Sequence, residues 1–156
     1  MIEIRIEGWG KASLAHLVLD FNGTLGRDGR LLAGIRPRLT RLAGHLRVHV
    51  LTADTFGGAV LELRGCPCRL EILGSRNQDR AKARYVHRLG AERVVAVGNG
   101  RNDRRMLQAA ALGFAVLGAE GAAAESLRAA DAVFIDVRDA LDALLRPLRL
   151  AATLRT

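Results

Sequence analysis

Short apolar runs recur along the chain, each separated from the next by enough residues for one helix. They are Leu17–Phe21, Val48–Thr52, Leu70–Leu73, Val94–Val97, Phe114–Leu117 and Ala132–Ile135. The runs are continuous and rich in Val, Leu and Ile, with no polar alternation, which is the pattern of strands buried on both faces of a parallel sheet. The intervals near 35–44, 55–64, 77–89, 102–111, 121–129 and 138–145 read as helices. Strand and helix in alternation predict an α/β domain with a Rossmann-like, doubly wound, mainly parallel sheet and helices on both faces. Ile2–Glu7 alternates with period two, so it is expected to pair antiparallel with Leu14–Leu19 or to lie at an edge. Leu148–Thr156 reads as a frayed, basic helical tail. No internal repeat or linker interrupts the pattern, and 156 residues suit a single domain spanning 1–156.

The helix near 77–89 can be read more finely. Ser75 and Gln78 have the spacing of a capping box. Arg76, Arg80, Arg84 and Arg88 recur every four residues, a ridge of like charges that belongs in water. Lys82, Val86 and Leu89 fall on a different face, the apolar one that looks at the sheet. This places an ammonium inward near the helix start, at the edge of the sheet where ligands bind. Such a charge is costly unless it meets a negative group.

Composition changes this picture little. The formal charge is +8, yet the cations are 22 arginines against 2 lysines, and aromatic residues are 4% of the chain. An arginine bias of this kind resembles a genome-wide preference, and little aromatic surface exists for stacking bases, so both features argue against nucleic acid as the partner. No apolar run is long enough to span a membrane, and the N-terminal residues lack a signal-like stretch, so a cytoplasmic location is expected. Cys66 and Cys68 are too close for an unstrained bridge and read as two free thiols rather than a metal or redox pair. His16, His45, His49 and His87 are dispersed, and His49 reads as a satisfied core histidine.

The candidate chemistry sits at strand ends. Asp20 closes the first run and is followed by Phe-Asn-Gly-Thr24; Thr52 closes the second; Gly98-Asn-Gly-Arg-Asn-Asp103 follows the fourth. Taken singly, these are a turn-capping acid, a helix N-cap and a glycine-rich turn. Taken together with Lys82, they bring a nucleophile, a hydroxyl, a cation and a second carboxylate to one edge from four βα units. Phosphoryl transfer through an aspartyl-phosphate needs that set.

The order Asp20-Phe-Asn-Gly-Thr24, Leu51-Thr-Ala-Asp54, Lys82 and Gly98-Asn-Gly-Arg-Asn-Asp103 resembles the haloacid dehalogenase (HAD) superfamily. Within it, the chain is similar to soluble proteins related to the phosphorylation domain of P-type ATPases. The likeness runs from Leu17 to about Leu145. It implies that Asp20 attacks phosphorus, that Gly23, Thr24, Thr52, Ala53, Lys82 and Asn102 bind the phosphoryl group, and that Asn102 orients Asp103 or a water. It also implies Mg²⁺ held by the Asp20 carboxylate, the Asn22 carbonyl, Asn99 and Asp103. The sequence departs from the superfamily twice. Asn22 stands where a general acid–base Asp is usual, and Asn99 where a metal-binding Asp is frequent. Turnover should therefore be slow, and an impaired domain that binds a phosphorylated ligand, or an acidic or nucleic-acid partner, is the alternative reading.

The intervals of 31 residues between Asp20 and Thr52, and 29 between Thr52 and Lys82, leave no room for a cap domain. Gly26–Leu32 can supply only a small flap, with Asp28-Gly29 as a hairpin turn. A capless site suits a phosphorylated small molecule or macromolecule, or closure by a second copy of the chain. Arg27, Arg30 and Arg101 are candidate anion contacts near its mouth. Trp9 is free either to anchor a subunit contact or to cover the core.

Overall fold

The computed structural model describes residues 1–53 and 57–156. Asp54, and the start of the helix expected over 55–64, lie outside the described residues. A hairpin of β1 (Ile2–Ile6) and β2 (Gly10–Leu14) opens the chain, followed by β3 (His16–Asp20). A flap of β4 (Gly26–Arg27) and β5 (Arg30–Leu31) comes next, then α1 (Ile35–Ala43), β6 (Arg47–Thr52), α2 (Gly58–Glu62) and β7 (Arg69–Ile72). The second half runs α3 (Gln78–Arg88), β8 (Val94–Gly98), α4 (Arg104–Ala109), β9 (Leu112–Val116), α5 (Ala124–Ala129), β10 (Ala132–Phe134), α6 (Val137–Leu145) and α7 (Pro147–Leu154).

Six strands form one parallel sheet in the order β10-β9-β8-β3-β6-β7. The chain leaves β3 toward β6 and β7, then returns to the other side of β3 as β8. The direction of winding therefore reverses between β3 and β8, and the crevice at their carboxyl ends is where such sheets bind ligands. The six predicted runs all appear as strands, and β3, β8 and β9 are buried on both faces. One core layer joins α1, α6, α7 and the hairpin to the sheet through Ile35, Leu39, Leu141, Leu150 and Ile4. The other joins α3 and α4 through Tyr85, Val86, Met106 and Leu107, with α5 adding Leu127. No cap domain is present among the described residues, and no helix among them is long and apolar enough to cross a membrane.

Four local expectations are corrected. The first strand pairs with β2, in the register Ile2↔Leu14, and not with the central strand, because Gly8 and Gly10 turn the chain early. The C-terminal tail is docked rather than frayed. Leu150 is buried, and the Thr156 amide donates to the Glu7 carbonyl at 3.3 Å. The Ser75–Gln78 capping box does not form. Asn77, in a left-handed conformation, precedes α3, and the Gln78 amide reaches the Ser75 carbonyl at 3.5 Å. The helix expected over 102–111 begins as a tighter turn at Arg101–Asp103, which matters for Asp103.

Candidate active site

Asp20 is the last residue of β3, at the winding reversal, and it is buried. Lys82 lies on the inward face of α3, only 1% exposed, as its spacing with Val86 requires. Its ammonium donates to Asp20 Oδ1 and to Asp103 Oδ1, at 2.6 Å in each case. Burial opposes the charge on Lys82, but Asp20 and Asp103 outweigh it and raise its pKa above that of an ordinary lysine. Burial pushes the Asp20 carboxyl up to about 7, and the nearby Asp103 adds to this against the pull of Lys82.

Asp103 is fixed by its own loop. Its Oδ2 accepts from the backbone N–H of Asn99 at 3.0 Å and of Gly100 at 2.8 Å. The loop can wrap so closely because residue 98 is glycine: a Cβ there would stand 2.5 Å from Asp103 Cγ. Ser126 of α5 closes the back of the loop by donating to the Gly100 carbonyl at 2.6 Å. Thr24, buried beneath the first turn, has its hydroxyl 3.4 Å from Asp20 Oδ2 and 3.3 Å from Asn99 Oδ1. Asp20, Thr24, Lys82, Asn99 and Asp103 thus form one connected polar group.

The other expected residues are placed around it. Thr52, buried, ends β6 beside β3, and half-buried Ala53 follows it. Gly23 packs against the Asn99 amide, whose nitrogen would be 2.5 Å from any Cβ there. Asn22 is exposed in the turn. Asn102 lies in the same loop as Asp103. Its amide donates to Gln78 Oε1 at 2.8 Å, so it ties the loop to α3 and leaves Asp103 to be oriented by backbone N–H groups and Lys82. Arg27 and Arg30 are exposed on the flap, whose turn uses Asp28 and Gly29 at positive φ. Arg101 pairs with Glu125 at 3.0 Å. Sequence reasoning passed over Glu120 and read Gln78 only as half of a capping box. Glu120 lies in the loop after β9, which ends at the same sheet edge as the other site loops; that rule points to the loop but not to the residue.

The donor set fits a hard divalent cation. Asp20, Asp103 and Lys82 carry formal charges that leave a net negative group, and every free donor is oxygen. The Asn22 carbonyl accepts no hydrogen bond among the described residues. Asp20 Oδ2 and Asn99 Oδ1 each have a long contact to the Thr24 hydroxyl. Asp103 is the constrained member, since two N–H groups occupy Oδ2 and only Oδ1 retains capacity beside Lys82.

No family model matches the chain. It is similar to the uncharacterized protein MJ0073 of Methanocaldococcus jannaschii, 42% identical over 79 residues, which cover 48% of this chain and 85% of that one. The chain belongs to the MJ0073 family. Its fold is that of HAD hydrolases. A putative HAD subfamily III A hydrolase from Legionella pneumophila superposes with a TM-score of 0.71 at 19% identity, over 90% of this chain and 88% of that one. The 3-deoxy-D-manno-octulosonate 8-phosphate phosphatase of Moraxella catarrhalis, in complex with magnesium, phosphate and the sugar acid, gives 0.71 at 13% identity, over 85% and 86%. In this chain, the Asp20–Lys82–Asp103 group therefore sits on a scaffold with the fold of HAD hydrolases.

Proposed function

We propose that the chain is a Mg²⁺-dependent phosphohydrolase that acts on phosphomonoesters or acyl phosphates through a covalent intermediate on Asp20. The observation that carries this reading is Lys82, buried and 2.6 Å from both Asp20 and Asp103 at the winding reversal of the sheet. Asp20 attacks phosphorus with one carboxylate oxygen, the bond to the leaving oxygen breaks, and the leaving group departs as its anion or takes a proton from water. Water then attacks the aspartyl-phosphate and regenerates Asp20. Lys82 holds Asp20 in line and offsets charge on the phosphoryl oxygens. The Thr52 hydroxyl and the Ala53 amide, at the end of the neighbouring strand, would bind those oxygens. Asp20, Asp103, the Asn22 carbonyl and Asn99 would hold the cation, which supplies charge neutralisation at the phosphoryl group.

Asn22 sets the character of the reaction. An amide neither protonates a leaving group nor activates water, so substrates whose leaving group needs no proton are favoured. This agrees with the resemblance to P-type ATPase phosphorylation domains, which also lack an acid there. The small flap leaves the site open to a phosphorylated small molecule or macromolecule, or to a second copy of the chain. No arginine pairs with Asp20 among the described residues, so the site is not closed by an internal ion pair.

The test is a Mg²⁺-dependent assay with p-nitrophenyl phosphate and acetyl phosphate. Wild type should turn over and Asp20→Asn should not. A silent wild type that binds Mg²⁺ and inorganic phosphate would overturn catalysis in favour of a phospho-ligand-binding role.

A further inference from the structure

The loss of an acid at position 99 is matched by an acid that reaches the same place from another loop. Residues 117–123, between β9 and α5, fold over Asn99. The Asn99 side-chain nitrogen donates to the Gly121 carbonyl at 3.0 Å, and the Asn99 carbonyl accepts from the Ala123 N–H at 2.9 Å. The other end is pinned where the Gly118 N–H donates to the Ile135 carbonyl at 2.8 Å. Glu120 sits between Gly118 and Gly121, both at positive φ, in the tight turn that results. That turn directs its carboxylate at Gly23. A Cβ built on Gly23 would lie 2.7 Å from Glu120 Oε2, 2.5 Å from Asn99 Nδ2 and 2.9 Å from Asn99 Oδ1. The Glu120 carboxylate and the Asn99 amide thus converge on one point beside the Asp20-Phe-Asn-Gly turn. Two oxygens that both lie so near a common point are within the span of one shared water. Among the described residues the Glu120 carboxylate has no hydrogen-bond or ion-pair partner.

We infer that Glu120 is the outer carboxylate of the divalent-cation site, restoring through a bound water the negative charge that Asn99 lacks. The inference rests on the cation site proposed above. Among the described residues no three acidic, histidine or cysteine side chains group closely enough to ligate one ion, and the role assigned to Glu120 is accordingly that of a partner to the cation's water. Mg²⁺ usually keeps several of its waters, and carboxylates that hold such waters are a regular part of its sites. The arrangement also explains why residue 99 is an amide. A carboxylate there would face the Gly121 carbonyl and the Glu120 carboxylate and would give up the bond that shapes the loop. Charge at 120 and an amide at 99 are therefore one device. Arg27 and Arg138 line the adjoining pocket of about 100 Å³, but Arg138 is engaged with Asp136, and Arg27 lies beside Asp28.

The test is calorimetric Mg²⁺ binding to the full chain, without substrate, for wild type, Glu120→Gln, Asp103→Asn and the double variant Asn99→Asp/Glu120→Gln. Loss of an outer-shell partner typically weakens metal affinity about 10–100-fold. Glu120→Gln should therefore raise the Kd about tenfold, and adding Asn99→Asp should recover most of that loss. Glu120 is exposed, so its substitution should leave the Tm of the metal-free protein unchanged. A Kd for Glu120→Gln within twofold of wild type, with binding abolished in Asp103→Asn, would refute the role of Glu120 and leave the cation site standing. A wild type that takes up no Mg²⁺ would refute both.

Discussion

Lys82 Nζ lies 2.6 Å from Asp103 Oδ1 with both side chains essentially sealed from solvent, at 1% and 0% exposure. A pair this buried is held by mutual need. Removing one partner of a buried pair costs about 3–5 kcal/mol, because the other charge is left without compensation. Here Lys82 serves two carboxylates, so Lys82→Met should fall in that range when unfolding is measured in denaturant with the cation chelated. Added Mg²⁺ should recover part of the loss, since it supplies positive charge to the same oxygens. A variant within about 1 kcal/mol of wild type would mean the carboxylates are better solvated than their burial implies.

Gly98 and Asp103 give a prediction about space. The backbone at Gly98 is ordinary strand, so alanine meets no conformational penalty there, only the Asp103 carboxylate 2.5 Å away. Overpacking in a tight site costs about 1–3 kcal/mol. The carboxylate that must move is the one held by two backbone N–H groups, and Gly98→Ala should therefore lower Tm and abolish Mg²⁺ binding together. Lower stability with binding intact would show that the loop can shift as a body.

The parallel sheet was legible because strands buried on both faces leave unbroken apolar runs, as in Leu17–Leu19 of β3 and Leu112–Val116. Asp20, Lys82 and Asp103 were legible for a related reason. The rule that ligands gather at the carboxyl edge turns a list of strand ends into a site. The N-terminal hairpin was misread because two polar-alternating segments fit either partner, and only the early turn at Gly8 and Gly10 decides between them. The docking of α7 depends on Leu150 finding the hairpin, a contact between the two ends of the chain that local pattern cannot show. Glu120 was passed over because its loop has neither motif nor periodicity, and its meaning appears only where it meets Asn99 and Gly23 in space.

At the opposite edge of the sheet, His49 joins two layers. Its Nε2 lies 3.1 Å from His16 Nδ1 and its Nδ1 lies 3.0 Å from the Tyr85 hydroxyl. Burial first, then the charges of His16, Arg69 and Arg47, push the His49 pKa down from 6.5 to about 4. The unfolded chain therefore binds a proton at this position that the folded chain refuses. The His49 contribution to stability is full above pH 6.5 and is lost as pH drops toward 4, while Asp20, held up at about 7, contributes with the opposite sign over the same window. Urea midpoints between pH 7 and 4 check this. His49→Gln, which cannot take up a proton there, should flatten the slope even if it lowers the plateau, and an unchanged slope would place the acid sensitivity elsewhere.

The last prediction concerns Asn22, because it separates chemistry from binding. Asn22 is exposed in the turn after Asp20, and its side chain makes no hydrogen bond or ion pair among the described residues. Asn22→Asp should therefore fold as wild type does while gaining a group able to exchange protons. General acid–base help is worth about 10²–10⁴-fold. The gain should depend on the leaving group. An alkyl phosphate, whose alkoxide must be protonated, should gain in the first step, whereas acetyl phosphate needs little help there and should gain only as far as hydrolysis of the aspartyl-phosphate limits its turnover. Burst kinetics with p-nitrophenyl phosphate distinguish the two steps. Wild type should show a rapid release of about one product per site followed by a slow steady state, and Asn22→Asp should raise the steady state until the burst disappears. Equal gains for every substrate with no burst in wild type would show that proton transfer is not what Asn22 withholds, and would return attention to the weakened cation site.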